Sequence, residues 1–140
     1  MLGKFLFAST LLARCCHAGA AGDLVVARRL LEQLAAAMTG IAWVASYEQT
    51  RALADITAAT AMLERALSIT PRADAMRPWL LAYLGFAFWT RHAHTDALED
   101  LDRAINYGRH AAAAVGADHP ARGVVERFHM AMGPADRLAA

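Results

Sequence analysis

Residues 84–105 read Leu84-Gly85-Phe86-Ala87-Phe88-Trp89-Thr90-Arg91-His92-Ala93-His94-Thr95-Asp96-Ala97-Leu98-Glu99-Asp100-Leu101-Asp102-Arg103-Ala104-Ile105. An apolar stretch runs into a short polar turn, and a charged, helix-favouring stretch leaves it. Upstream, Pro78 marks a first helical turn, where its missing N–H would be unpaired anyway; Asp74 is placed to cap it. These signals predict a helix over 78–92. Downstream, Asp96 and Glu99 have the spacing of a capping box, and Asp100 and Asp102 put negative charge near the positive end of a helix dipole. Leu98, Leu101, Ile105 and Ala112 share one helical face, and Gly116 supplies a stop. The spacing predicts a second helix over 96–115.

The same pair of helices occurs earlier in the chain. An offset of 45 positions aligns Gly40 with Gly85, Thr50 with Thr95, Leu53 with Leu98, Asp55 with Asp100 and Arg77 with Arg122. Ile41/Phe86, Trp43/Phe88 and Ile56/Leu101 are conservative pairs at the same offset, and four alanine pairs add to them. In the earlier copy a long helix is predicted over 23–47, from apolar residues at Leu24, Ala27, Leu31, Leu34, Met38, Ile41 and Ala45, with a break at Thr39-Gly40 as an alternative. A partner helix follows over 52–69, stopped by Thr70-Pro71. Further helices are predicted over 3–16 and 120–131; Val124, Val125 and Phe128 stand 45 residues after Trp79, Leu80 and Tyr83. Proline is scarce and β-branched runs are nearly absent, so no strand is expected. The fold class is all-α: helical-hairpin repeats, two recognisable copies plus flanking helices. Residues 1–22 form an N-terminal helix or a signal-like segment, 23–132 the repeat domain, and 133–140 a tail. The core is expected to include Leu31, Leu34, Ile41, Ile56, Leu63, Leu81, Leu84, Phe88, Leu101 and Ile105, and Gly85 is expected to let the helices over 78–92 and 96–115 approach closely.

At these residues the chain resembles the tetratricopeptide repeat (TPR), whose short pattern is W-x₂-L-G-x₂-Y, then A-x₃-F, then A and P. Leu81, Leu84, Gly85 and Phe88 occupy the first-helix slots, and Ala104, Gly108, Ala111 and Gly116 those of the second. In the earlier copy the slots hold Ala36, Thr39, Gly40 and Trp43, then Ala59, Leu63, Ala66 and Pro71. The longer spacing is similar to the long-loop variety of actinobacterial arrays associated with CHAT domains. The resemblance covers about residues 34–130 and departs from the pattern at Gly108, where a large aromatic is usual, and before Gly40, where leucine is missing. It implies an α-solenoid acting as a protein–protein interaction scaffold. A signalling role of larger relatives is not carried over, since no companion catalytic or nucleotide-binding motif lies in these residues.

The resemblance also implies a groove lined by the first helix of each copy. Its positions are Trp79, Ala82, Phe86, Trp89 and Thr90 in the later copy, and Leu34, Ala37, Ile41, Val44 and Ala45 in the earlier. Trp79, Phe86, Trp89, Ile41 and Val44 are the partner-binding candidates. Their apolar character calls for an occupant: the chain's own terminal helix, a second subunit, or an apolar or amphipathic helix from a protein partner. A structural homo-oligomer, or a fragment of a longer array with no ligand of its own, is the alternative function.

Composition narrows the rest. Lysine and arginine number 14 against 13 acidic residues, with no basic patch interleaved with aromatics, so nucleic acid is not an expected partner. No apolar run is long enough to span a bilayer. Neither catalytic nor cofactor motifs occur, so neither enzymatic activity nor a cofactor is expected. Cys15 and Cys16 are adjacent and read as reduced packed thiols rather than metal ligands with His17. His92 and His94 read as solvated turn residues, and His110 as a complement to a negative helix end. Arg72, Arg77 and Arg122 read as linker arginines that bond nearby backbone and carboxylates, or alternatively grip an acidic peptide end. The expected compartment is the cytoplasm. The alternative is export, if residues 1–20 are a signal peptide: Lys4 precedes an apolar run and Ala18-Gly19-Ala20 offers a cleavage site, although Arg14 and His17 interrupt the pattern.

Overall fold

The computed structural model describes residues 3–7, 9–10 and 21–132, and the described elements are all helical. Residues 3–7 and 9–10 are helical; the rest of the predicted 3–16 helix, with Cys15, Cys16 and His17, lies outside the described residues. Five helices follow: α1 (Ala21–Thr50), α2 (Leu53–Ser68), α3 (Arg77–Thr95), α4 (Leu98–Ala114) and α5 (Arg122–Met132). The pairs α1–α2 and α3–α4 pack as hairpins, α2 packs on α3 between them, and α5 lies across α3 and α4.

Helix α1 runs unbroken for 30 residues. Gly40 does not interrupt it, because the helix is held there from outside. Gly40 is buried, and a Cβ on it would fall 2.6 Å from Leu63 Cγ of α2, so glycine is what permits that approach. Both hairpin turns use the same device at the same offset. Arg51 and Asp96 adopt left-handed φ of 56° and 55°. Their N–H groups donate to the carbonyls of Tyr47 and His92 at 2.7 and 2.8 Å. The hydroxyls of Thr50 and Thr95 accept the next N–H but one, from Ala52 at 3.1 Å and Ala97 at 3.3 Å. The start of the second helix is then clamped to the first: Ser46 donates to Asp55 at 2.7 Å, and Arg91 donates to Asp100 at 2.7 and 2.5 Å.

This geometry replaces the expected capping box. Asp96 ends α3 instead of opening α4; Ala97 is the N-cap, with no side-chain cap bond, and Glu99 turns to Arg103 at 2.8 Å. Asp74 does accept an N–H, from Met76 at 2.8 Å, just ahead of α3. Helix α4 ends at Ala114 with Val115 extended, so the stop comes ahead of Gly116.

The main core joins Leu34, Val44 and Tyr47 of α1, Ile56 and Leu63 of α2, Leu80, Leu84 and Phe88 of α3, Ala104 of α4, and Phe128 and Met132 of α5. Leu31, Ile41, Leu101 and Ile105, expected in the core, are half-buried at its margin. Gly85 admits α4, with Gly108 N 3.4 Å from where a Cβ would stand, but its tightest neighbour is elsewhere: Phe128 Cε1 and Cζ of α5 would lie 2.9 Å away. A Cβ on Gly108 would come within 2.3 Å of the same ring. Phe128 therefore fills a socket floored by two glycines. In the first hairpin the position equivalent to Gly108 is Leu63, and that hairpin fills its own interior.

Candidate functional site

Helices α1 and α3 lie side by side and present one face of two adjoining clefts. The larger, about 640 Å³, is walled by Ile41 of α1, Trp79 and Tyr83 of α3, Met76 of the preceding linker, and His119 and Pro120 ahead of α5; Gly3 and Lys4 close one end. The smaller, about 270 Å³, is walled by Val44 and Glu48 of α1, Tyr83 and Phe86 of α3, and Val124 and Phe128 of α5. Tyr83 lines both, so the two form one apolar furrow along α3.

Of the five candidates, Ile41 and Trp79 meet in the first cleft and Val44 and Phe86 in the second. Trp89 stands apart from both, near the end of α3, with its ring centroid 6.0 Å from that of His92. The other expected groove positions are displaced too: Leu34 and Ala37 of α1 are buried, and Ala45 is exposed outside both clefts. Ala82 is fully buried in a cluster with Leu81, Ala111 and Val125, and Thr90 is buried. The helical twist carries Ala82 under α4 and α5 rather than into the furrow.

Charge marks the two ends of the furrow. At one end Lys4 Nζ bonds Asp74 and donates to Gln33 Oε1 at 3.1 Å, and Gln33, itself buried, donates to Asp74 at 3.4 Å. Burial pushes the Asp74 carboxyl up. The hydrogen bonds from Lys4, Met76 N–H and Gln33, with the Lys4 charge, outweigh it and leave the group below the usual range. At the other end Arg127 lies 3.9 Å from Glu48. The floor between is apolar, so the furrow suits a ligand with an apolar face and polar flanks.

A second charged cluster sits away from the furrow and serves the fold. Arg91 bridges Asp100 and the Thr60 hydroxyl, 3.1 Å away, tying α2, α3 and α4 together. Its guanidinium is 4.9 Å from the Phe88 centroid, that of Arg103 is 5.4 Å away, and Tyr107 stacks on the same ring at 5.7 Å. The Arg91 hydrogen bonds, opposed by burial and supported by the nearby positive charges, hold the Asp100 carboxyl below its ordinary range.

The histidines expected to be solvated turn residues lie in the last turns of α3, His94 exposed and His92 half-buried, and each has a partner. His94 Nε2 is 2.7 Å from the buried Tyr47 hydroxyl, and His92 Nδ1 is 2.9 Å from the Ala97 carbonyl. Arg77 donates to the Thr70 carbonyl at 3.1 Å, as a linker arginine should, while Arg122 pairs with Glu126 at 2.7 Å. Among the described residues no three His, Cys, Asp or Glu side chains cluster closely enough to share a metal ion, and no helix is long and apolar enough to cross a membrane. Lys4 was not legible as a furrow residue, nor Gln33 as its partner, since only the tertiary fold brings them to Asp74. No protein-family model matches the chain, and no curated protein or solved structure matches it either.

Proposed function

We propose that this chain is a tetratricopeptide-type interaction scaffold that holds an amphipathic helix of a partner protein in the furrow between α1 and α3. The observation that carries the reading is the convergence of Ile41, Trp79 and Tyr83, from two different helices, on one open apolar cleft. An aromatic anchor in such a cleft is the usual source of affinity for a docked helix. The repeat reading is supported by the two hairpin turns, whose left-handed residue, threonine bonds and aspartate clamp recur at one offset. Helix α5 covers the Val44–Phe86 end, which leaves the Ile41–Trp79 end as the docking position.

A model amphipathic helix of leucine and lysine tests this in the Trp43→Phe protein, by tryptophan fluorescence. Saturable binding that blue-shifts the emission, and that Trp79→Ala weakens about tenfold or more (the loss of about 1.4 kcal/mol), supports the scaffold. Binding unaffected by Trp79→Ala and Ile41→Ala, or no saturable binding at all, refutes it.

A further inference from the structure

The outer face of α1 is apolar and exposed, and no described residue covers it. Met38, Thr39, Ala42, Trp43 and Ser46 line a shallow open depression there, with Met38 58% and Trp43 38% exposed. The chain contains its own control for this face. Forty-five positions on, Thr39, Ala42 and Trp43 become Leu84, Ala87 and Phe88 of α3, all buried in the main core. Ser46 becomes Arg91, which reaches Thr60 of the neighbouring α2. One further step turns Met38 and Ala42 into Phe128 and Met132 of α5, also buried. Met38 itself becomes Tyr83, which lines the furrow; the Thr39, Ala42 and Trp43 positions are buried in the second hairpin, while on α1 no described residue covers them.

Charge singles out the same face. Asp100 is paired with Arg91, but its equivalent Asp55 receives only the hydroxyls of Ser46 and Thr50, at 2.7 Å each, and no cation among the described residues. At the other end of the same stripe, exposed Arg28 has, among the described residues, Glu32 one turn along as its partner, at 3.2 Å.

We propose that this face is the interface of a homodimer, in which the α1 helices of two copies pack antiparallel about a two-fold axis at Thr39. Arg28, Glu32, Ala35, Thr39, Trp43, Ser46 and Thr50 recur at three- and four-residue spacing along one face. A two-fold axis at Thr39 sets Ala35 against Trp43, Glu32 against Ser46 and Arg28 against Thr50, each pair twice. The large ring of each copy meets the smallest side chain of the other. Each Arg28 arrives beside the Thr50–Asp55 pair and supplies the cation that Asp55 lacks. A head-to-tail contact onto some other face would satisfy none of these pairings. The proposal does not depend on the furrow, which lies on a different side of α1.

The test uses the full chain with Cys15 and Cys16 replaced by serine. Sedimentation over a concentration series should show a monomer–dimer equilibrium, and Trp43→Glu should raise the dissociation constant at least tenfold while leaving the far-ultraviolet spectrum unchanged. Thr39→Cys should form an oxidised dimer on its own. Glu32→Cys and Ser46→Cys should cross-link when mixed and not separately. Trp79→Ala should leave dimerisation unaltered, so failure here and failure of the groove reading are told apart. A monomer at every concentration overturns the proposal. If its Trp43 is also shielded from iodide, the chain's own N-terminal segment is the occupant; if Trp43 is open to iodide, the face has none. A dimer in which Glu32→Cys cross-links to itself, as in a parallel pairing, overturns it equally.

Discussion

Replacing Gly108 by alanine is expected to lower stability in the native background and raise it when Phe128 is leucine. The added Cβ would stand 2.3 Å from Phe128 Cε1, 3.2 Å from Cδ1 and 3.3 Å from Cζ. Carbon atoms rest about 3.5–4 Å apart, so the ring must leave its socket by more than an ångström. Overpacking of this kind costs about 1–3 kcal/mol. Against it stands the helix preference for alanine over glycine, about 1 kcal/mol at a helix interior position. The balance is a net loss of about 1 kcal/mol. Leucine at position 128 lacks Cε1 and Cζ, so most of the conflict disappears while the helix preference remains. Phe128→Leu alone should cost about 1–1.5 kcal/mol and keep the protein folded. On that background Gly108→Ala should gain about 0.5–1 kcal/mol, a coupling of about 1.5–2 kcal/mol between positions in contact. Urea unfolding of the four proteins, followed by circular dichroism with m-values compared, measures the cycle. An effect of Gly108→Ala with the same sign and size in both backgrounds would refute the socket.

Gly40→Ala should behave like the single change at Gly108, losing about 1–2 kcal/mol in the same urea assay, because Leu63 Cγ stands 2.6 Å from the added atom. Asp100→Asn should cost about 2–3 kcal/mol, reduced from the fully buried case because Arg91 keeps some contact with water. The folded carboxyls of Asp100 and Asp74 lie below their ordinary range, so their contribution is complete above about pH 5 and is lost as the pH falls below about 4. Urea midpoints across that interval should therefore fall with acidification, and fall less steeply in Asp100→Asn. Tyr47→Phe removes the bond to His94 and should cost about 0.5–1.5 kcal/mol, read from the thermal midpoint. Lys4→Met should leave Asp74 without its cation and speed amide exchange over residues 3–10, which hydrogen-exchange mass spectrometry detects.

Helix order and most boundaries were legible because apolar spacing, proline and the 45-residue offset all speak within single elements. The end of α3 was misread because Asp96 and Glu99 satisfy a local capping rule. The turn is instead set by a left-handed residue; arginine at 51 carries no signal for that conformation, and aspartate at 96 suits a left-handed position and a helix cap alike. The absence of a large side chain at Gly108 was visible as a departure, but not its remedy: Phe128 reaches the gap only through the path of α5. Similarly, Trp79 and Ile41 could be named as groove positions from register, whereas Trp89 could not be excluded without knowing how α3 rotates against its neighbours.

The glycine socket also sets an order of assembly. As the chain emerges from synthesis N-terminus first, residues 21–68 can already close the contact between α1 and α2, because Leu63 fills the space beside Gly40. The second hairpin cannot do so when Ala114 has appeared, since the hollow between Gly85 and Gly108 waits for a ring twenty positions beyond Gly108. A nascent chain stalled before Phe128 should hold a firm first hairpin and a loose second one. Release of the last helix would then act as the step that locks the C-terminal half.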